Sequence, residues 1–152
     1  MEILVSIAII GVSFATLLSI GTQAINFSYY ARNMTDIDFL VREEMEALRT
    51  FRDNTDWDVS GLGTVSTGGA PYHLYLDTGA SPAQWTLVGG TETVGNFLRN
   101  VVFEKVSRDP GTNDVESTYN ILNEDLNTRK ATVNIIWEGK VYQVITYLAN
   151  WQ

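Results

Sequence analysis

Apolar residues fill the chain from Ile3 to Ile25 almost without interruption, and from Met34 they thin to steps of three and four: Met34, Ile37, Val41, Met45, Leu48, Phe51. The first pattern predicts a helix that is apolar all round, as lipid or complete packing demands. The second predicts an amphipathic helix with a single apolar stripe. Between the stripe positions lie Asp36, Asp38, Arg42, Glu43, Glu44, Glu46, Arg49 and Arg52, which the pattern assigns to the polar face. No proline occurs before Pro71, so one helix is expected from about residue 2 to about residue 52. Within its apolar half, Ala8, Gly11, Ala15, Ser19 and Thr22 follow the same steps. They make a stripe of small side chains along which another helix backbone can approach closely.

The segment 54–70 is rich in Gly, Ser, Thr and Asp, with Ser60-Gly61 and Gly68-Gly69 as breakers, and predicts an irregular connection. After it the period becomes two. Tyr72, Leu74 and Leu76 alternate with His73, Tyr75 and Asp77, and Gln84–Val88 is a second short run. Phe97, Val101 and Phe103, read as alternating with polar Arg99 and Lys105, predict a third strand. Lys130–Glu138 and Lys140–Ala149 read as a hairpin about Glu138-Gly139-Lys140, with Val133, Ile135 and Trp137 as one apolar set and Val141, Ile145 and Tyr147 as the other. The expected fold is α+β, a long N-terminal helix packed on an antiparallel sheet of four or five strands. Its expected parts are a transmembrane or filament-core helix over 1–25, an amphipathic half over 26–53 and a β-sheet head over 54–152.

Charge sharpens this picture. Residues Ile3 to Ala31 carry no formal charge, and the apolar core of that stretch is long enough for a bilayer, which takes roughly 20 helical residues. A cleaved signal peptide would have a basic start and an apolar run of about 7–15 residues, so this segment reads as retained structure. The formal net charge of −8 opposes nucleic acid as a partner. With no cysteine and one histidine, His73, the chain offers neither disulfides nor a thiolate or histidine-rich metal site.

Candidate chemistry is sparse. Glu2 is a carboxylate at the edge of an apolar run, where an ionisable group is costly and reads either as functional or as a residue of the lipid headgroup layer. The stretch Asp109–Thr128 is long for a structureless connection and carries Asp109, Asp114 and Glu116. It reads as a solvated acidic loop, with calcium the alternative, because no EF-hand spacing is present. His73 lies near Asp77, yet no nucleophile elbow or phosphate loop accompanies it, so neither catalysis nor a cofactor is expected. Trp57, Trp85, Trp137 and Trp151 read as core candidates at strand positions, and Trp151 with Tyr147 as an alternative exposed patch.

The opening Met-Glu-Ile-Leu-Val-Ser-Ile-Ala-Ile-Ile-Gly resembles the N-terminus of type IV pilins and type II secretion pseudopilins. Glu2 matches the family's glutamate and Gly11 the glycine nine residues later. The ending, Ala131–Trp137 and then Tyr147-Leu148-Ala149-Asn150-Trp151, is similar to that of small minor pilins. Two positions depart from the family. The glutamate is second here and fifth in the family's mature chains, and Ser19 stands where many pilins have a helix-loosening proline. The resemblance implies a structural subunit of an extracellular filament at the cell surface, drawn from a membrane-inserted precursor pool. Its partners would be copies of itself or other pilins, and the pilus assembly machinery. Glu2 would pair with the N-terminal amine of a neighbouring subunit, while Gly11, Ala15 and Ser19 would line the packing seam. A secretion pseudopilin, or a single-pass anchored binding or sensory domain, is the competing expectation.

Overall fold

The computed structural model describes residues 2–151, the side chain of Ala8 excepted. One helix, α1 (Glu2–Asn54), is followed by β1 (Pro71–Asp77), β2 (Gln84–Gly89), β3 (Glu92–Val94), β4 (Phe97–Ser107), a 3₁₀ turn (Ile121–Asn123), β5 (Glu124–Trp137) and β6 (Lys140–Ala149). The expected α+β class and the unbroken helix are both present. The chain divides into two compact units, one reaching Asp38 and the other starting at Phe39.

In the first unit the helix surface from Ile3 to Tyr30 is largely apolar and uncovered. Its large hydrophobic side chains from Ile3 to Tyr30 are 42–76 % exposed. The polar groups there turn inward: the hydroxyls of Ser13, Thr16 and Thr22 donate to the carbonyls of Ile9, Ser13 and Ser19 at 2.8–2.9 Å. That bonding satisfies each hydroxyl on its own helix and leaves an outer surface of carbon.

In the second unit the helix packs on a fully antiparallel sheet of order β2-β1-β4-β5-β6, with β3 pairing beside β4. The three-residue β3 is a sixth strand, too short for its periodicity to register in the sequence. Ala47, Leu48 and Phe51 bury against Leu74, Val101, Phe103, Ala131, Val133 and Leu148. Trp57 and Leu62 close the end of this core. Trp57 sits in the turn after the helix, not on a strand. Its indole donates to the Leu126 carbonyl at 3.2 Å, under the Arg129 guanidinium. A Cβ at Gly63 would lie 2.5 Å from the Trp57 carbonyl, so only glycine lets the loop wrap so tightly.

Register decides which residues face this core. Glu138 and Gly139 both have positive φ (49° and 74°), the signature of a two-residue type I′ hairpin turn, and Trp137 pairs with Lys140. Odd residues of β5 therefore oppose even residues of β6: Val133 faces Val144, and Ile135 faces Tyr142. Val141, Ile145 and Tyr147, expected as the apolar partners of Val133 and Ile135, lie on the opposite face of the sheet and are half exposed. Arg99 is corrected for the same reason. It shares parity with Phe97, Val101 and Phe103, and it is buried with them.

The stretch expected as one long acidic loop is partly ordered. Arg108 bridges to Val115, the 3₁₀ turn follows, and β5 already begins at Glu124. Between Lys105 and Val106 the partner on β5 jumps from Arg129 to Asp125, so residues 126–128 bulge out of the ladder with β4.

Candidate functional site

The residues singled out for assembly occupy the first unit. Glu2 stands in the first turn of α1, where a carboxylate complements the positive end of the helix dipole. It is exposed, and its backbone carbonyl accepts a hydrogen bond from Ser6 Oγ at 2.9 Å. Gly11, Ala15, Ser19 and Thr22 are all exposed. A Cβ built on Gly11 or Gly21 meets nothing within 4 Å, so nothing in the chain itself requires glycine at either place. The Ala8 side chain, expected in the same stripe, lies outside the described residues. The surrounding 18-residue window has a mean hydropathy of 2.5, so by length and composition the helix is able to cross a membrane.

The second unit holds a buried ion cluster that includes Glu43 and Glu44, both expected on the polar face of the helix. Glu44 is fully buried, its Oε1 accepting the backbone N–H of Leu74 at 3.1 Å and its Oε2 lying 3.1 Å from Arg99 Nε. The Arg99 guanidinium also reaches Glu92 on β3 and Glu43 on α1. Burial pushes the Glu44 carboxyl up to about 7, against the pull of Arg99 and the Leu74 N–H, with Glu92 and Glu43 adding to the rise. The spacing carried the signal: 37, 41, 44, 48 and 51 step by three and four, so Glu44 lies on the apolar stripe. Its charge led to the opposite assignment.

The calcium candidates are separately engaged. Asp109 Oδ1 accepts the N–H groups of Gly111 and Thr112 at 2.8 and 2.9 Å, which holds its carboxyl below the usual carboxylate range. Glu116 Oε1 accepts from Asn123 Nδ2 at 3.2 Å, while the backbone N–H of Asp114 donates to Thr112 Oγ1 at 3.3 Å. Among the described residues no three metal-ligating side chains converge. His73 Nδ1 lies 3.3 Å from the Gly90 carbonyl, a contact that ties the sheet edge to the following turn. Trp137 is buried beside Phe97 with ring centroids 6.4 Å apart, whereas Trp151 is exposed and donates to Asp53 at 3.3 Å.

No family model, curated protein or solved structure matches this chain.

Proposed function

We propose that the chain is a structural subunit of a type IV pilus-like filament, held in a membrane before assembly and packed helix against helix afterwards. The observation that carries this reading is the contrast between the two parts of one helix. From Phe39 on, its apolar stripe is buried on its own sheet; from Ile3 to Tyr30 the same helix leaves its apolar surface uncovered by the chain. Lipid covers such a surface in a precursor, and neighbouring subunits cover it in a filament. Burial out of water is worth about 25 cal/mol per Å², which makes withdrawal from the membrane favourable only into another apolar environment. Between apolar helices, close backbone approach supplies the specificity, and the stripe of Gly11, Ala15 and Ser19 fits that need.

The test is to express the chain with a pilus assembly machinery and shear the cells. The chain is expected in thin surface filaments that an antibody to the head decorates along their length. Recovery of all of it in the membrane fraction would make it an anchored binding domain instead.

A further inference from the structure

The β1–β2 end of the sheet, the last turn of α1 and residues 60–65 enclose an open groove of about 440 Å³. That volume falls in the range of small-ligand sites, roughly 300–1,000 Å³. Three aromatic side chains line it, Phe51, Tyr72 and Trp85, the first part of the hydrophobic core and the other two packed against it, so all three are fixed in place. The Tyr72 ring tilts against Phe103 at 5.8 Å, and its hydroxyl accepts the Ser66 N–H at 3.2 Å. Around them lie Thr55, Ser60, Thr64 and Gln84.

The hydrogen-bonding capacity of this rim is of both kinds. Thr55 and Thr64 spend their protons on the carbonyls of Phe51 and Gly61, at 2.7 and 2.9 Å, which leaves their oxygens as acceptors. Among the described residues, the Ser60 hydroxyl, the Gln84 amide and the Trp85 indole N–H have no partner within the chain. Among the described residues no charged side chain lines the groove, although the chain has 18 acidic and 10 basic residues. A phosphate or carboxylate would find no counter-ion there. A purely apolar ligand would leave the polar rim unpaired, at a cost.

From this juxtaposition of fixed aromatic rings with uncharged donors and acceptors, we infer that the groove is a binding site for a neutral saccharide. A pyranose ring presents a face of C–H groups that stacks on an indole, and a circumference of hydroxyls that each donate and accept. The inference stands apart from the filament reading, because every residue of the groove belongs to the unit that starts at Phe39.

The experiment is saturation-transfer NMR on the full chain in a zwitterionic, sugar-free detergent, with free glucose, galactose, mannose and N-acetylglucosamine as probes. At least one sugar is expected to receive saturation on its ring protons and to titrate in about the millimolar range. Trp85→Phe keeps an apolar ring in the core but shrinks the platform and deletes the N–H, and is expected to weaken binding about tenfold. Ser60→Ala, at an exposed position that cannot threaten the fold, is expected to weaken it several-fold. Trp151→Phe, at an exposed tryptophan outside the groove, is expected to leave it unchanged. Absence of saturable transfer to all of these sugars would overturn the inference. So would binding that survives both Trp85→Phe and Ser60→Ala, or saturable binding of a tryptic peptide mixture where the sugars fail.

Discussion

Glu44 on α1 and Arg99 on β4 meet inside the unit that starts at Phe39, Oε2 to Nε at 3.1 Å, with both side chains almost wholly removed from solvent. Two further carboxylates, Glu43 and Glu92, lean on the same guanidinium. The cluster thus crowds three acids around one base, and the acid furthest from water, Glu44, carries the strain as a carboxyl raised to about 7. Facing it are Arg99 and Glu92 from the sheet, Glu43 from its own helix, and the Leu74 N–H from β1.

The sign of the pH dependence follows. A carboxyl in an unfolded chain titrates near 4.3, so between that pH and about 7 the folded head binds a proton that the unfolded chain does not. Stability from this group is complete below the unfolded value and is lost as pH rises through 7. Denaturant melts of the head are expected to show stability falling by a few kcal/mol between about pH 5 and pH 8. Glu44→Gln is expected to flatten that fall; an unchanged pH slope in the variant would remove Glu44 as its source.

Glu44→Ala takes away the acceptor of the buried Leu74 N–H and one of three carboxylates around the Arg99 guanidinium. Below about pH 7 that carboxyl is largely protonated and Arg99 keeps Glu43 and Glu92, so the cost is that of a buried donor left without its acceptor, about 1–3 kcal/mol. Chemical denaturation near pH 6 is expected to record a loss of that order, larger than the loss for Glu46→Ala, whose partner Arg49 is half exposed on the helix surface.

Trp137 is buried at the end of β5 beside Phe97. Trp137→Ala is expected to cost about 3–5 kcal/mol through lost transfer energy and the cavity left behind. Thermal melting of a head beginning near residue 26 measures it, and a loss below about 1 kcal/mol would contradict tight packing there.

Gly11→Leu places a side chain where the chain itself has only open space. The isolated subunit is expected to fold and insert normally, since leucine is also the better helix former. In a filament seamed along Gly11, Ala15 and Ser19 the added bulk holds neighbouring backbones apart. Sheared-filament yield is expected to drop far below that of Leu17→Ile, and equal yields from the two variants would dismiss the stripe.

Glu2→Ala removes a carboxylate whose burial in apolar surroundings costs roughly 3 kcal/mol without a partner. Membrane insertion and head folding are expected to be normal. Under the proposed filament reading, assembly is expected to fail, or to proceed only alongside wild-type subunits, because the charge proposed to set the docking register is gone. Glu2→Gln is expected to behave alike. The measurement is filament yield against membrane-pool abundance, and wild-type yield from either variant would reduce Glu2 to a headgroup residue.

The sequence by itself determined the elements. Twenty-three nearly uninterrupted apolar residues from Ile3 to Ile25, a three-and-four-step stripe after them and period-two runs beyond Ala70 leave few alternatives to one helix and an antiparallel sheet. These are local properties, fixed by side-chain spacing and by the absence of proline. Tertiary structure decided orientation and neighbourhood. Whether Val141, Ile145 and Tyr147 faced inward depended on the two-residue turn at Glu138-Gly139, which sets parity across the hairpin. Whether Glu44 and Arg99 sat in water or in the core depended on their meeting in the fold, with Glu43 and Glu92 beside them, a relation between residues 55 positions apart (99 less 44). The groove of Trp85 and Tyr72 arose the same way, from strands and a loop that meet only in the fold, since uncharged rim residues such as Ser60 and Gln84 carry no periodic signal of their own.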